Sequence, residues 1–218
     1  MNTKKSALLN SRLYVIVGSE PSAEETLRVA AAALRGGTDI IQVRAKARGW
    51  QVVMGLARRM RECVDKAGAI WIVNDDPVLA IESGADGVHV GQDDMPVAEV
   101  RRIVGDRFLV GLSTHSPRQA LDGCQQPVDY IGYGPLFATP TKPDYGAIGL
   151  DALNEIKGRI ALPWFAIGGI DAGNVGSVRD HGARRAAVVR AVTRAKDPEK
   201  AAAGIKAMLT QTEKVHHE

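Results

Sequence analysis

The chain alternates between short apolar runs and longer amphipathic stretches. "LYVIVG" (13–18), "DIIQVR" (39–44), "IWIVND" (70–75) and "GVHVGQ" (87–92) are followed by "FLVGLST" (108–114), "YIGYGP" (130–135), "WFAIGG" (164–169) and "RAAVVRA" (185–191). Most of these eight runs lack strict alternation, which fits strands covered on both faces, as in a parallel sheet. The stretches between them carry helix signals. Ser22 and Glu25 form a capping box ahead of "AEETLRVAAAALRG", which Gly36 can close. Asp76-Pro77, Ser116-Pro117 and Asp197-Pro198 each set an N-cap before a proline at the first helical position. Glycines in "AGAI", "SGAD" and "HGAR" mark helix ends just before the next strand. The helix after "DIIQVRAKARGW" has no clear start, because Gly49 and Trp50 offer no cap.

Eight strands alternating with helices predict an α/β fold, a single-domain (β/α)8 TIM barrel over residues 1–218, with 1–11 and roughly 212–218 as loose ends. An open doubly wound sheet is the competing architecture. Its dinucleotide fingerprint is missing, since "VGSEPSAEE" after the first strand has one glycine where three are needed. Composition adds limits. The 28 basic and 25 acidic residues leave a net charge of only +3, which argues against nucleic acid or an anionic membrane as partner. Anion recognition must therefore be local. The longest apolar run, "IALPWFAIGGI", falls well short of the ~20 residues that span a bilayer, and "MNTKKSALLNSRLYVIVG" is a poor secretory signal. A soluble cytoplasmic protein is expected, with Cys63 and Cys124 reduced. A homo-oligomer is left open.

In such a barrel the chemistry sits where strands end. The second strand ends in Gln42, Arg44 and Lys46, the third in Asn74-Asp75-Asp76, and the fourth runs into Gln92-Asp93-Asp94. The fifth leads to Ser113-Thr114-His115, the sixth to Thr139, Thr141 and Lys142, the seventh to Gly168-Gly169, and the eighth to Arg190. Each has an ordinary reading as well. Asp76 reads better as a helix cap, Asp94 serves equally as cap or ligand, the threonines can stabilise turns, and His115 reads as a polar loop residue. The joint pattern is harder to explain that way, because cations, carboxylates and amides reach one rim from most of the strands. Arg44, Lys46 and Lys142 supply positive charge for a polyphosphate, and Asp75 and Asp94 supply hard oxygens for Mg2+. "AIGGI" and "VVRAV" suggest a second phosphate cradle after strands seven and eight. No nucleophile elbow, Cys-x-x-Cys or His-Glu-x-x-His competes.

The phrases "DIIQVRAK", "IVNDD", "GVHVGQDD", "VGLSTHS", "GPLFATPTK", "WFAIGGI" and "AAVVRAV" occur in an order and spacing that resemble the thiamine phosphate synthase (thiamine-phosphate pyrophosphorylase) family over nearly the whole chain. The resemblance implies an Mg2+-dependent transferase. It would couple the diphosphate of 4-amino-5-hydroxymethyl-2-methylpyrimidine with 4-methyl-5-(2-phosphoethyl)thiazole, releasing diphosphate by a dissociative mechanism. By position it implies that Gln42, Arg44 and Lys46 contact the pyrimidine diphosphate with Asn74 beside them, that Val43 and Ala45 complete that segment by backbone approach, and that Asp75 and Asp94 hold Mg2+. It places Ser113 and Lys142 on the diphosphate, and Thr139, Pro140, Thr141, Gly169, Val189 and Arg190 at the thiazole phosphate. Arg44, Lys46, Ser113 and Lys142 would carry the catalysis.

Two positions depart from the family pattern. Arg190 replaces a small hydroxyl residue, and the usual "QLREK" reads "QVRAK", so that Ala45 lacks an acidic side chain. A thiazole tautomerase on a related barrel would need a proton shuttle, for which His115 is the one candidate. A non-catalytic sensor of phosphorylated ligands would need fewer charges.

Overall fold

The computed structural model describes residues 3–45, 49–139 and 146–211. Eight strands close into one parallel barrel in chain order: β1 (Leu13–Val17), β2 (Ile40–Val43), β3 (Ile70–Asn74), β4 (Gly87–Val90), β5 (Leu109–Thr114), β6 (Tyr130–Tyr133), β7 (Trp164–Ile167) and β8 (Ala186–Val188). Closure comes from β8 pairing with β1, with Leu13 opposite Ala186 and Val15 opposite Val188. Around the sheet lie α1 (Thr3–Asn10), α2 (Ala23–Arg35), α3 (Gly49–Ala67), α4 (Pro77–Glu82), α5 (Val97–Val104), α6 (Pro117–Gly123), α7 (Ala152–Ile156), α8 (Val175–Asp180), α9 (Arg190–Thr193) and α10 (Pro198–Thr210).

The caps form as the sequence specifies. Ser22 accepts the Glu25 N–H at 3.1 Å, Asp76 accepts from Val78 and Leu79, Ser116 from Gln119, and Asp197 from Lys200. The end of α2 differs in detail. Gly36 has φ −71°, and the left-handed residue that turns the chain is the next one, Gly37, at φ 87°.

Two apolar layers result from the period of two along each strand. Outward residues such as Val15, Ile41, Trp71 and Val110 pack against the helices, while Tyr14, Ile40, Ile70, Ile72, Leu109, Tyr130 and Phe165 fill the lumen. The N-terminal rim uses one repeated device. Asp39, just before β2, accepts the N–H groups of Arg12 and Leu13. Asp86, before β4, accepts that of Trp71, and Asp129, before β6, that of Val110. Each carboxylate also pairs with cations: Asp39 with Lys206, Asp86 with Lys4 and Arg61, Asp129 with Lys5 and Arg101.

Two of those cations lie in α1, and this corrects the expectation of a loose N-terminal end. Residues Thr3–Asn10 form a helix because Leu8, 2% exposed, joins the lumen cluster from below while Lys4 and Lys5 tie it to the rim aspartates. Residues 212–218 lie outside the described residues. Among the described residues no helix is long and apolar enough to cross a membrane, and both cysteines are free thiols. Leu8→Ala should lower unfolding stability by about 2–4 kcal/mol, the range for a buried leucine. Urea unfolding measures this, and a loss within ~0.5 kcal/mol, the scale of a surface change, would contradict the plugging role of α1.

Candidate active site

A cavity of about 640 Å3 opens at the C-terminal ends of the strands. Gln42, Arg44, Asn74, Asp75, Asp94, Ser113, Thr139, Gly169, Val189 and Arg190 all line it. These are ten of the residues singled out from sequence, brought together from seven of the strands and their following loops. Lys46, Pro140, Thr141 and Lys142 lie outside the described residues. Val43 and Ala45 do not line the cavity. Alternation along β2 turns Gln42 and Arg44 inward and buries Val43 and Ala45 in the helix-facing core, at 1% and 8% exposure. The acidic side chain that Ala45 lacks would thus have pointed away from the mouth.

The two carboxylates are held by their turns. Asp75 has φ 65°, the one non-glycine residue in the left-handed region among the described residues, and its N–H binds the His89 carbonyl at 2.8 Å. Aspartate tolerates this backbone better than most residues. Asp94 does not cap α5, whose N-cap position is Pro96. Its Oδ2 instead accepts the Gly91 N–H at 2.7 Å, bracing the turn after β4. Among the described residues no three His, Cys, Asp or Glu side chains cluster as a metal cage. Two carboxylates on one mouth still suit Mg2+, which typically takes one or two from protein and the rest from phosphate and water.

The far side of the mouth is built by close backbone approach. Leu136 and Phe137 donate their N–H groups to Ile167 and Gly168, so the loop after β6 is laced to the loop after β7. Gly168 and Gly169 have φ 98° and 65°, and a Cβ on either would lie 2.3 Å from Pro135 Cβ or 2.7 Å from Phe137 Cβ. Only glycine permits both the turn and the contact. Asn174 then donates to the Gly169 carbonyl at 2.9 Å. Arg190 opens α9, and Arg194, one turn later, also lines the cavity, so this side presents two guanidiniums.

Sequence reasoning missed a polar column beneath the mouth. Gln42 Nε2 donates to the Tyr14 hydroxyl at 2.6 Å, and Tyr14 and Tyr130 hydroxyls meet at 3.1 Å. Tyr130 is 3.1 Å from His89 Nδ1, and His89 Nε2 is 2.9 Å from Ser113 Oγ. Each hydroxyl and ring nitrogen of this column is thus matched by a neighbour, and Ser113 at its upper end lines the cavity. Burial raises both tyrosine pKa values, so the phenols keep their protons. Strand glycines make room for it. A Cβ at Gly111 would lie 2.2 Å from Tyr130 Cζ and 2.4 Å from His89 Nδ1. An interior glycine in a strand was the available signal.

A closed parallel barrel of eight strands with cations, carboxylates and a glycine turn gathered at the strand ends makes this a TIM-barrel protein with a polar mouth. Residues 13–192 match the family model described as thiamine monophosphate synthase, and the chain belongs to that family. It is 41% identical over 194 residues to a thiamine-phosphate synthase of Gloeobacter violaceus, covering 89% of this chain and 56% of that protein. The chain thus spans little more than half the length of that relative. A thiamine-phosphate synthase of Thermus thermophilus is 43% identical, with 91% of this chain and 97% of that one covered. Among solved structures, a thiamine phosphate pyrophosphorylase from Pyrococcus furiosus superposes with a TM-score of 0.83 at 29% identity, covering 94% of this chain and 97% of that one.

Tyr130→Phe should cost about 1–3 kcal/mol of stability, because it leaves buried partners without a hydrogen bond. Thermal unfolding reads this, and an unchanged midpoint would mean the column is not hydrogen-bonded as described.

Proposed function

We propose that the chain joins the diphosphate ester of 4-amino-5-hydroxymethyl-2-methylpyrimidine to 4-methyl-5-(2-phosphoethyl)thiazole, giving thiamine phosphate and free diphosphate. The observation that supports this most is the convergence of Arg44, Ser113, Asp75 and Asp94 on one cavity whose opposite wall carries Gly168, Gly169, Arg190 and Arg194. Two anion-receiving sides on one mouth suit two phosphorylated substrates. Family membership and the two bacterial relatives point the same way.

In this reading Gln42 and Asn74 orient the pyrimidine, and Arg44 and the Ser113 hydroxyl hold the diphosphate, with Lys46 and Lys142 assigned there by sequence. The Ser113 hydroxyl, held beside His89 on the cavity wall, is placed to donate to an oxygen that gains charge as the C–O bond breaks. The electron-rich aminopyrimidine then carries the positive charge on its methylene, and the thiazole nitrogen, needing no deprotonation, adds to it. Asp75 and Asp94 would hold Mg2+, which when bound neutralises the departing diphosphate. Gly169, Val189, Arg190 and Arg194 take the thiazole phosphate, with Thr139, Pro140 and Thr141 assigned there by sequence. Arg190 supplies bidentate contacts in place of a hydroxyl. A tautomerase reading has less support. It gives Asp75, Asp94 and Arg44, which share the mouth, no evident use.

Release of diphosphate from the two substrates with Mg2+ tests the proposal, and no release with all three present would reject it. Asp75→Asn is expected to move the Mg2+ titration of turnover to higher concentration without loss of folding; an unaltered titration removes that ligand from the scheme. Arg194→Ala should raise KM for the thiazole phosphate by roughly tenfold or more, the worth of one hydrogen bond to a charged group. An unchanged KM would leave the phosphate to Arg190 and the glycine turn alone.

A further inference from the structure

Three of the four even-numbered strands begin beside a carboxylate, Asp39, Asp86 or Asp129, that accepts a neighbouring N–H and gathers cations. Before β8 the chain carries Arg184 and Arg185 instead. At that corner lies a cleft of about 290 Å3, lined by Arg12, Lys157, Arg179, Arg184 and the end of α10. It sits at the N-terminal end of the seam where β8 closes on β1. That is the end of the barrel opposite the mouth.

The charge there is not balanced internally. Arg179 pairs with Asp180 at 2.7 Å. Among the described residues Arg12, Lys157 and Arg184 have no ion-pair partner, and Arg185 Nε is buried without a hydrogen bond. Burial first, then the guanidiniums of Arg12 and Arg184, pulls the Arg185 pKa down, the direction expected where like charges crowd. Gly182 is part of the construction, since a Cβ there would lie 2.8 Å from Lys157 Cδ and Cε. The glycine lets the lysine stem lie along the wall.

We propose that this cleft is a second ligand site, for a small phosphate anion of at least two negative charges, which supplies at the β8–β1 seam the negative charge that aspartate supplies at the other three corners. Guanidiniums on two sides suit bidentate phosphate contacts. The volume is below the roughly 300–1,000 Å3 of pockets for drug-sized ligands, which fits diphosphate or a compact phosphate monoester rather than a nucleotide. Binding here stabilises the barrel by mass action and leaves the mouth untouched.

Thermal unfolding of the full chain in EDTA at constant ionic strength, with inorganic diphosphate or glycerol 3-phosphate as probe, tests this. At saturating probe the midpoint should rise by on the order of 5 °C, and the probe giving the larger rise tells inorganic anion from ester. Added to the mouth variant Arg44→Ala/Arg190→Ala, Lys157→Ala/Arg184→Ala and, separately, Arg184→Asp should abolish the rise, and in the otherwise wild-type chain each should leave turnover unchanged. The mouth variant alone should retain the rise. No rise with either probe, a rise that persists when either cleft change is added to the mouth variant, or a rise lost in the mouth variant alone would overturn the proposal.

Discussion

A closed parallel barrel forces every second side chain of every strand into one narrow lumen, and the contents of that lumen decide what its mouth can be. Here the lower part is apolar, with Leu8 closing it from α1. Higher up the filling becomes polar, and the dry surroundings demand that each polar atom be matched. The column from Gln42 through Tyr14, Tyr130 and His89 to Ser113 meets that demand, with Gly111 giving up its side chain to make room. A packing constraint thereby becomes a chemical one, because the last member of the column, Ser113, is fixed in place where it faces the cavity.

The mouth and the N-terminal rim solve opposite electrostatic problems with the same kinds of residue. At the rim, carboxylates accept strand N–H groups and are neutralised by Lys4, Lys5, Arg61, Arg101 and Lys206. At the mouth, Arg44, Arg190 and Arg194 share a cavity with Asp75 and Asp94, an arrangement that suits anions accompanied by a cation. A net charge of +3 hides both arrangements, because local organisation rather than the total carries the information.

All eight strands were legible in the sequence, since continuous apolar runs between capped helices leave little freedom of assignment. The alternation Gln42–Arg44 was legible too, and it separates cavity residues from Val43 and Ala45 by parity alone. Helix α1 was not legible. Its sequence, "TKKSALLN", has weak amphipathic character, and its order comes from distant partners at Asp86 and Asp129. His89, Tyr14 and Tyr130 were also hidden, because an aromatic or histidine in a buried run looks the same whether it fills space or relays a hydrogen bond. Arg194 was missed for a different reason. It lies two residues beyond the matched phrase, and the short helix α9 brings it to the cavity one turn after Arg190.

The central claim is that one mouth holds a departing diphosphate between the Arg44–Ser113 side and the Asp75–Asp94 side. A crystal structure grown with magnesium and diphosphate tests it most directly. Diphosphate density within hydrogen-bond distance of Arg44 and Ser113, with a cation between it and the two aspartates, is the predicted result. Diphosphate bound elsewhere, with those four side chains left in contact with solvent alone, would contradict it.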